Sequence, residues 1–429
     1  MSGSGSFGGA DVTHESGVSR FCKSIFVAVC VAPLVLIGGV CVLGYNEHRA
    51  VCSVRAIDEG KKAVTEVGCD SATAGDGRLV MFSCDLKKDG LKPLSPSGED
   101  FKERSFQGTG LETTIEMYQC VEKKHSTTKK DKAGGGTSTE TTYSYDMQWM
   151  SSWVDRSKFN QAAEARAAAK AKCGDVVNPQ WSDAWPANGV QYAEEVQAGA
   201  FTLPREYVKQ VPLDSQVTMG TAPARWSFQK PDGEGYYFTG GGSNGIGRVR
   251  VKFAGNDWKH PAVTALGHNA GGQLSKWTAS DSWMCAGFSL GEVRKGQVSK
   301  DDLFAKLETE ANMMTYVLRA VGFLLSWFAF SLLFVPLEVA ADCIPCIGPC
   351  LGDNIAAVTC CISCLPGLAC SLGVAGCVWV FMRPMVGIPL LAVFVITLGG
   401  FIFFKIKNSK AGGDQRGPVG YGSFPGGRS

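Results

Sequence analysis

The chain has 429 residues, 42 basic and 40 acidic side chains giving a formal charge of +2, and 45% hydrophobic residues. Near-neutrality with its basic residues spread along the chain argues against a nucleic-acid partner. The average hydropathy is the mean of two kinds of segment, uncharged apolar runs and a charged central block, which excludes both a wholly soluble chain and a plain bundle of spans.

In chain order, residues 1–23 open with a Gly- and Ser-rich stretch and predict a disordered tail. Residues 24–45 follow as a first transmembrane helix. Its core, Ile25 to Gly44, carries no charge and matches the ~20 residues a bilayer requires. That apolar core exceeds the ~7–15 residues of a signal peptide, so a retained anchor is the reading over a cleaved leader.

Residues 46–312 form the charged block, which is long enough to bury a core of its own. Thr113 to Glu122 alternates, with Ile115, Met117 and Gln119 on one face and Glu116, Tyr118 and Cys120 on the other. Tyr143, Tyr145, Met147 and Trp149 share a face of the next run. With the polar, Gly-containing stretch Lys123 to Thr141 between them, these predict a long-looped β-hairpin. Asn160 to Cys173 is Ala-rich and predicts a short helix. Strands are expected at Tyr236 to Thr239, Gly247 to Phe253, Ala262 to Leu266 and Gln273 to Trp277. Ser299 is the N-cap of a last helix, with Asp301 and Asp302 in its first turn.

A second span is expected over 313–336, with Arg319 near its start, placed to snorkel toward headgroups. A Cys-rich loop (337–354), a third span (355–382), the tight Arg383-Pro384 connection, a fourth span (385–405) and a disordered basic, Gly-rich tail (406–429) complete the chain. The fold class is therefore a multi-pass α-helical membrane protein, with one N-terminal and three C-terminal transmembrane helices and a large β-rich α+β extramembrane domain. Arg20 and Lys23 before the first span, and Lys405, Lys407 and Lys410 after the last, put both tails on the cytosolic or nucleoplasmic side and the domain in the lumen. Arg49, Arg55, Lys61 and Lys62 oppose that orientation.

Seventeen cysteines divide between these compartments. Cys52, Cys69, Cys84, Cys120, Cys173 and Cys285 lie in the domain, where an oxidising lumen allows up to three disulfides of unspecified pairing. A denser group surrounds the loop between the second and third spans. Cys343-x-x-Cys346 and Cys361-x-x-Cys364 have zinc-knuckle spacing, but their apolar surroundings and the absence of a nearby histidine point instead to helix packing. Cys343, Cys346 and Cys350 are the candidates for S-acylation. No metal site is assigned.

Catalytic patterns are absent as well. Gly240, Gly242 and Gly245 spell G-x-G-x-x-G, yet the residues after them alternate as a strand, whereas a dinucleotide fingerprint opens a helix. The five histidines show no ligand spacing, and there is no nucleophile elbow or phosphate loop. No catalytic residue and no cofactor is assigned, and the chain is expected not to be an enzyme.

A set of ordered motifs resembles the transmembrane protein 43 family, also called LUMA. They are Asn46-Glu47-His48-Arg49-Ala50 after the first span, Gly77-Arg78-Leu79-Val80, Ile115-Glu116-Met117-Tyr118-Gln119, and Thr142-Tyr143-Ser144-Tyr145 ending in Trp149. Ser157-Lys158-Phe159, Asn178-Pro179, Leu318-Arg319-Ala320-Val321-Gly322 and Arg383-Pro384 complete the set. The resemblance implies a distant member located in the endoplasmic reticulum and inner nuclear membrane, in contact with membrane lipids. It implies a homo-oligomer that organises other membrane proteins there, with emerin- and lamin-type partners by that resemblance alone. The alternative expectation is a membrane-surface enzyme or accessory subunit of lipid metabolism. The candidate interaction or structural residues are Asn46, Glu47, Arg49, Glu116, Tyr118, Gln119, Tyr143, Tyr145, Trp149, Arg319, Arg383 and Pro384. Two readings stay open for the hairpin: its second strand is an edge that pairs with a second copy, or it packs as ordinary core. Asn46-Glu47 is expected to cap the end of the first helix at the headgroups.

Overall fold

The computed structural model describes residues 7–131, 135–175, 177–242, 245–279, 285–342, 348–382 and, with gaps, 384–399. Strand β1 (Phe7–Glu15) precedes helix α1 (Gly17–Ala63), which contains one π-helical turn at Val27–Val31. Strands β2 (Thr65–Glu66), β3 (Leu79–Asp85), β4 (Gly110–Lys130) and β5 (Thr137–Met150) lead to helix α2 (Ala163–Cys173). Strands β6 (Gly189–Tyr192), β7 (Glu195–Ala198), β8 (Phe201–Pro204), β9 (Ser215–Val217), β10 (Ser227–Gln229), β11 (Tyr236–Thr239) and β12 (Val249–Gly255) follow. Then come β13 (Ala262–Ala270), β14 (Gln273–Ser275), β15 (Trp277–Thr278), β16 (Ser289–Leu290) and β17 (Glu292–Lys295). Helices α3 (Lys300–Leu332), α4 (Val335–Asp342) and α5 (Gly348–Met382) end the described elements of regular length. Two compact units emerge. One holds Met1–Ile25, Cys52–Asn312 and Pro336–Ile355, and the other Phe26–Val51, Met313–Val335 and Ala356 onward.

The first unit is built on two large sheets, with β15 and β16 forming a separate two-stranded pair. One runs β1-β5-β4-β12-β11-β10, with β6 also on β4 and β9 on β12, and the other β2-β3-β13-β14-β8-β7, with β17 on β13. In the first sheet the predicted alternation holds: Ile115 and Met117 are fully buried with Val249, Val251 and Phe253, beneath Phe101 and Tyr237. The rings of Phe101 and Tyr237 meet edge to face at 5.4 Å, a geometry that adds to the burial of their area. Strand β3 behaves differently. Val80, Phe82 and Cys84 enter one core while Leu79 and Met81 enter another, formed with Ile57 of α1 and Leu303, Phe304 and Leu307 of α3. A strand covered on both faces carries an unbroken apolar run, and the alternation test passes over it. Ser299 caps α3 as expected: its Oγ accepts the Asp302 N–H at 3.2 Å and donates to the Asp302 carboxylate at 2.7 Å.

Three disulfides staple this unit: Cys52–Cys285, Cys69–Cys84 and Cys120–Cys173. They use all six cysteines of the charged block, whereas Cys22, Cys30, Cys41, Cys360, Cys361, Cys364, Cys370 and Cys377 are free thiols. Closing the 233-residue separation between Cys52 and Cys285 removes the most chain entropy from the unfolded state, on the order of 4 kcal/mol or more in the loop-closure account.

Several expectations need correction. The stretch Lys123 to Thr141 is not a long loop, because β4 and β5 stay paired to Lys130↔Thr137. Cross-strand hydroxyl pairs, Ser126 with Thr141 and Thr128 with Thr139, hold this polar part, and β-branched threonine suits a pleated surface whatever its polarity. Residues 1–23 are not a featureless tail either. Phe7–Glu15 pairs antiparallel with Thr137–Ser144, and α1 begins at Gly17. Part of the expected loop 337–354 is helical, as α4 and the start of α5.

Three described helices are long and apolar enough to cross a membrane: Gly17–Ala63, Lys300–Leu332 and Asp353–Met382. The fourth expected span and the tail after it lie largely outside the described residues, and so does Arg383.

The hairpin tip is held ionically. Lys130 bonds Asp342 at 2.9 Å and Asp353 at 2.7 Å, and Arg20 bonds Asp342 at 3.1 Å and the Gly135 carbonyl. The β1–β5 pairing sets residues 7–15 beside the outer hairpin, whereas the basic-flank reading put residues 1–23 and 123–141 on opposite faces of a membrane. Protease protection of tags inserted at residues 6 and 133 tests this. Protection of both, or of neither, is expected, and one protected with the other cleaved would separate β1 from β5.

Candidate functional site

Two places gather the residues singled out from the sequence. The first is the outward face of the larger sheet. Alternation in β12 places Arg248, Arg250 and Lys252 on this face, and the register sets Arg250 opposite Glu116 of β4 and Phe238 of β11. The Arg250 guanidinium holds the Glu116 carboxylate at 2.7 Å, and lies 4.3 Å from the Trp149 ring and 5.0 Å from the Tyr236 ring. Arg248 lies 4.3 Å over Phe238, and Tyr118 packs on Trp149, its cross-strand partner, at 5.2 Å. Each cation–π contact at such a half-exposed site contributes about 0.5–1 kcal/mol. Together they make a preformed ladder of arginine and aromatic side chains.

Glu116, Tyr118 and Trp149 thus come together. Gln119 points the other way, fully buried, donating to the Ser152 carbonyl and accepting from the Val154 N–H, each at 2.8 Å. Asn178 plays a similar part, closing on both the N–H and the carbonyl of Cys120 at 2.9 Å. These two amides brace backbone. Tyr143 and Tyr145 pack beneath α2, against Ala165, Ala168 and Ala169, whose small side chains allow the close approach. Tyr143 donates to Asp11 at 2.9 Å and Tyr145 to Glu122 at 2.6 Å. Burial, reinforced by the Glu122 carboxylate, pushes the Tyr145 phenol above its ordinary value, so it stays a neutral donor. The free-edge reading is corrected at Tyr143, because β1 covers β5 over Thr137–Ser144, whereas Tyr145 lies just past the paired stretch. The glycines of G-x-G-x-x-G join β11 to β12 as a strand-to-strand loop, with Gly242 N–H donating to the Ile246 carbonyl at 2.8 Å.

The second place lies within the membrane unit. Helices α1 and α3 pack through glycines: a Cβ on Gly322 would sit 2.4 Å from Leu43 Cγ, and one on Gly39 3.0 Å from Ser326 Oγ. Helices α3 and α5 meet at Gly367, where a Cβ would lie 2.9 Å from Trp327 Cα, and at the Ser331–Ser363 hydroxyl pair, 2.6 Å apart. Small residues and hydroxyls are the usual means by which apolar helices associate.

At one end of this bundle Glu47 has no exposed surface. Arg319 donates to it from Nε at 2.6 Å and Nη2 at 2.7 Å, and Trp379 Nε1 donates to Oε2 at 2.7 Å. One residue from each of the three long apolar helices among the described residues therefore closes a single knot. Arg319 does not snorkel to headgroups as expected, because a planar fork on a carboxylate is the stronger interaction in a low-dielectric setting. Nor do Asn46 and Glu47 cap a helix. Helix α1 runs on to Ala63, and buried Asn46 donates to the Thr315 carbonyl at 3.1 Å. Arg49 is half-buried in the same turn. Trp379 escaped the sequence reading, since nothing local links residues 332 positions apart. Its signal was position, an indole near the end of an apolar run.

Pro384 is exposed, and Arg383, Cys343 and Cys346 lie outside the described residues. Cys350 is described by its helical backbone alone. Among the described residues no group of three or more His, Cys, Asp and Glu side chains is placed to hold a metal.

A β-rich domain joined to three described helices long and apolar enough to cross a membrane defines the class as a membrane protein. The chain belongs to the transmembrane protein 43 family, whose family model matches residues 117–384. That span takes in the hairpin, the arginine ladder, Arg319 and Trp379. No curated protein and no solved structure matches the chain.

Trp379→Phe removes one hydrogen bond to a charged acceptor and should cost about 1.5–3 kcal/mol. Arg319→Lys, which cannot form the fork, should lower the thermal midpoint in detergent at least as far. Unchanged midpoints for both would show that the knot does not hold the helices.

Proposed function

We propose that this chain is a non-enzymatic membrane scaffold that self-associates and gathers other membrane proteins in the endoplasmic reticulum and inner nuclear membrane. The observation that carries this reading is the arginine and aromatic ladder on the outer face of the large sheet. Trp, Tyr and Arg dominate the binding energy of protein interfaces, and here Trp149, Tyr118, Tyr236, Phe238, Arg248 and Arg250 are held in place before any partner arrives. Such preorganisation lowers the entropy cost of association. The face carries both signs of charge, with Glu116 beside Arg250 and Glu234 beside Lys252, which suits a second copy of the same surface.

The cysteine partition supports a lumenal or perinuclear position for the disulfide-bonded core, since three disulfides persist only in an oxidising compartment. Membership of the family supports the membrane setting. The protein's polar clusters are engaged with one another, Glu116 with Arg250 and Glu47 with Arg319 and Trp379, in keeping with a structural role. Partners are read as membrane proteins of the same envelope, with lamina components left to experiment.

Light scattering in mild detergent tests the reading. The wild type should be a discrete homo-oligomer, and Trp149→Ala combined with Arg250→Ala should weaken self-association at least tenfold. A monomeric wild type, or an oligomer indifferent to the substitutions, would contradict the proposal.

A further inference from the structure

We propose that the membrane unit contains a phospholipid-binding cleft, with one acyl chain lying between α1, α3 and α5 and the lipid phosphate held by Arg319. The cleft has a volume of about 440 Å³, inside the ~300–1,000 Å³ usual for small-molecule sites. Leu43, Phe323, Leu368, Leu372 and Ala375 line it together with Glu47, Arg319 and Trp379. Apart from Ala320, which directly follows Arg319, the apolar lining residues stand a turn or more away from the polar one on each helix: Leu43 before Glu47, Phe323 after Arg319, and Leu368, Leu372 and Ala375 before Trp379. Because the three polar residues touch one another, the cleft is polar at one end and apolar along its length. That is the profile of a headgroup joined to an acyl chain.

The charges at the polar end are presented unequally. Glu47 is wholly buried and both its oxygens are engaged, whereas the Arg319 side chain is 37% exposed. Among the described residues Arg319 Nη1 makes no hydrogen bond, so this lining residue keeps guanidinium donors to spare. A phosphate oxygen is their natural acceptor, through short charge-assisted bonds. Ser371, the hydroxyl on the wall, donates to the Gly367 carbonyl at 2.9 Å, leaving the rest of the lining to hydrocarbon. Leu368 and Leu372 are 45% and 48% exposed, which opens the cleft along α5. A helix of this composition has lipid as its surroundings. The lipid thus enters sideways from the bilayer, a route closed to a water-soluble anion.

Native mass spectrometry with stepwise collisional release tests the cleft independently of the scaffold reading. The wild type, extracted in mild detergent, should retain one phospholipid per chain, identified by its mass. Ala375→Phe fills the cleft and keeps the polar knot, and should reduce occupancy at least tenfold. Leu368→Trp blocks the open side from a half-exposed position and should do the same should Ala375→Phe fail to fold. Arg319→Lys should reduce occupancy several-fold. A wild type without bound phospholipid, one carrying a sterol or free fatty acid in its place, or blocking variants with wild-type occupancy would each overturn the proposal.

Discussion

A carboxylate with no exposed surface among apolar helices imposes one requirement: donors must surround its oxygens, because a buried polar group left without partners is costly. Glu47 meets that requirement with Arg319 and Trp379. Its partners come from two other helices, so satisfying one side chain fixes the rotation and depth of all three apolar segments. Apolar surface alone could not do this, because lipid and a neighbouring helix are nearly equivalent to a leucine. The glycine contacts at Gly39, Gly322 and Gly367 then bring the backbones close enough for the knot to close.

The first unit solves a different problem. Its two sheets have long open arrays of backbone groups, and it satisfies them with added strands and buried amides. Strand β1 takes the outer edge of β5 over Thr137–Ser144, Gln119 and Asn178 complete the backbone bonding next to β4, and three disulfides fix loops of very different length. What remains outward on the large sheet is the arginine and aromatic ladder. Held on adjacent strands, its side chains are rigid, and rigidity is what separates an interface hot spot from scattered surface residues.

Much of this architecture was legible in the sequence. The apolar runs, the alternation of β4 and the inner half of β5, the α3 cap at Ser299 and the family resemblance each rest on local patterns. Other features had no such signature. β3 lacks alternation because both of its faces are buried. The outer hairpin read as a loop because its Thr, Ser and Lys residues are polar, although their backbones pair. The Glu47–Arg319–Trp379 knot joins residues 272 and 332 positions apart, a distance over which no spacing rule operates. Arg248, Arg250 and Lys252 did alternate visibly, and what the sequence lacked was the register that sets Arg250 between Glu116 and Phe238.

The central claim is that the buried carboxylate and its arginine hold the apolar helices as a unit. A double-mutant cycle over Glu47→Gln, Arg319→Gln and the pair, followed by unfolding in detergent, measures their coupling directly. Arg319→Gln should destabilise by about 3–5 kcal/mol, since it strands the buried Glu47 carboxylate, Glu47→Gln should cost less because the Arg319 side chain is 37% exposed, and the double mutant should recover a large part, giving a coupling of at least about 2 kcal/mol. Losses that simply add, with coupling near zero, would mean that the two residues act separately and that something else sets the helix register.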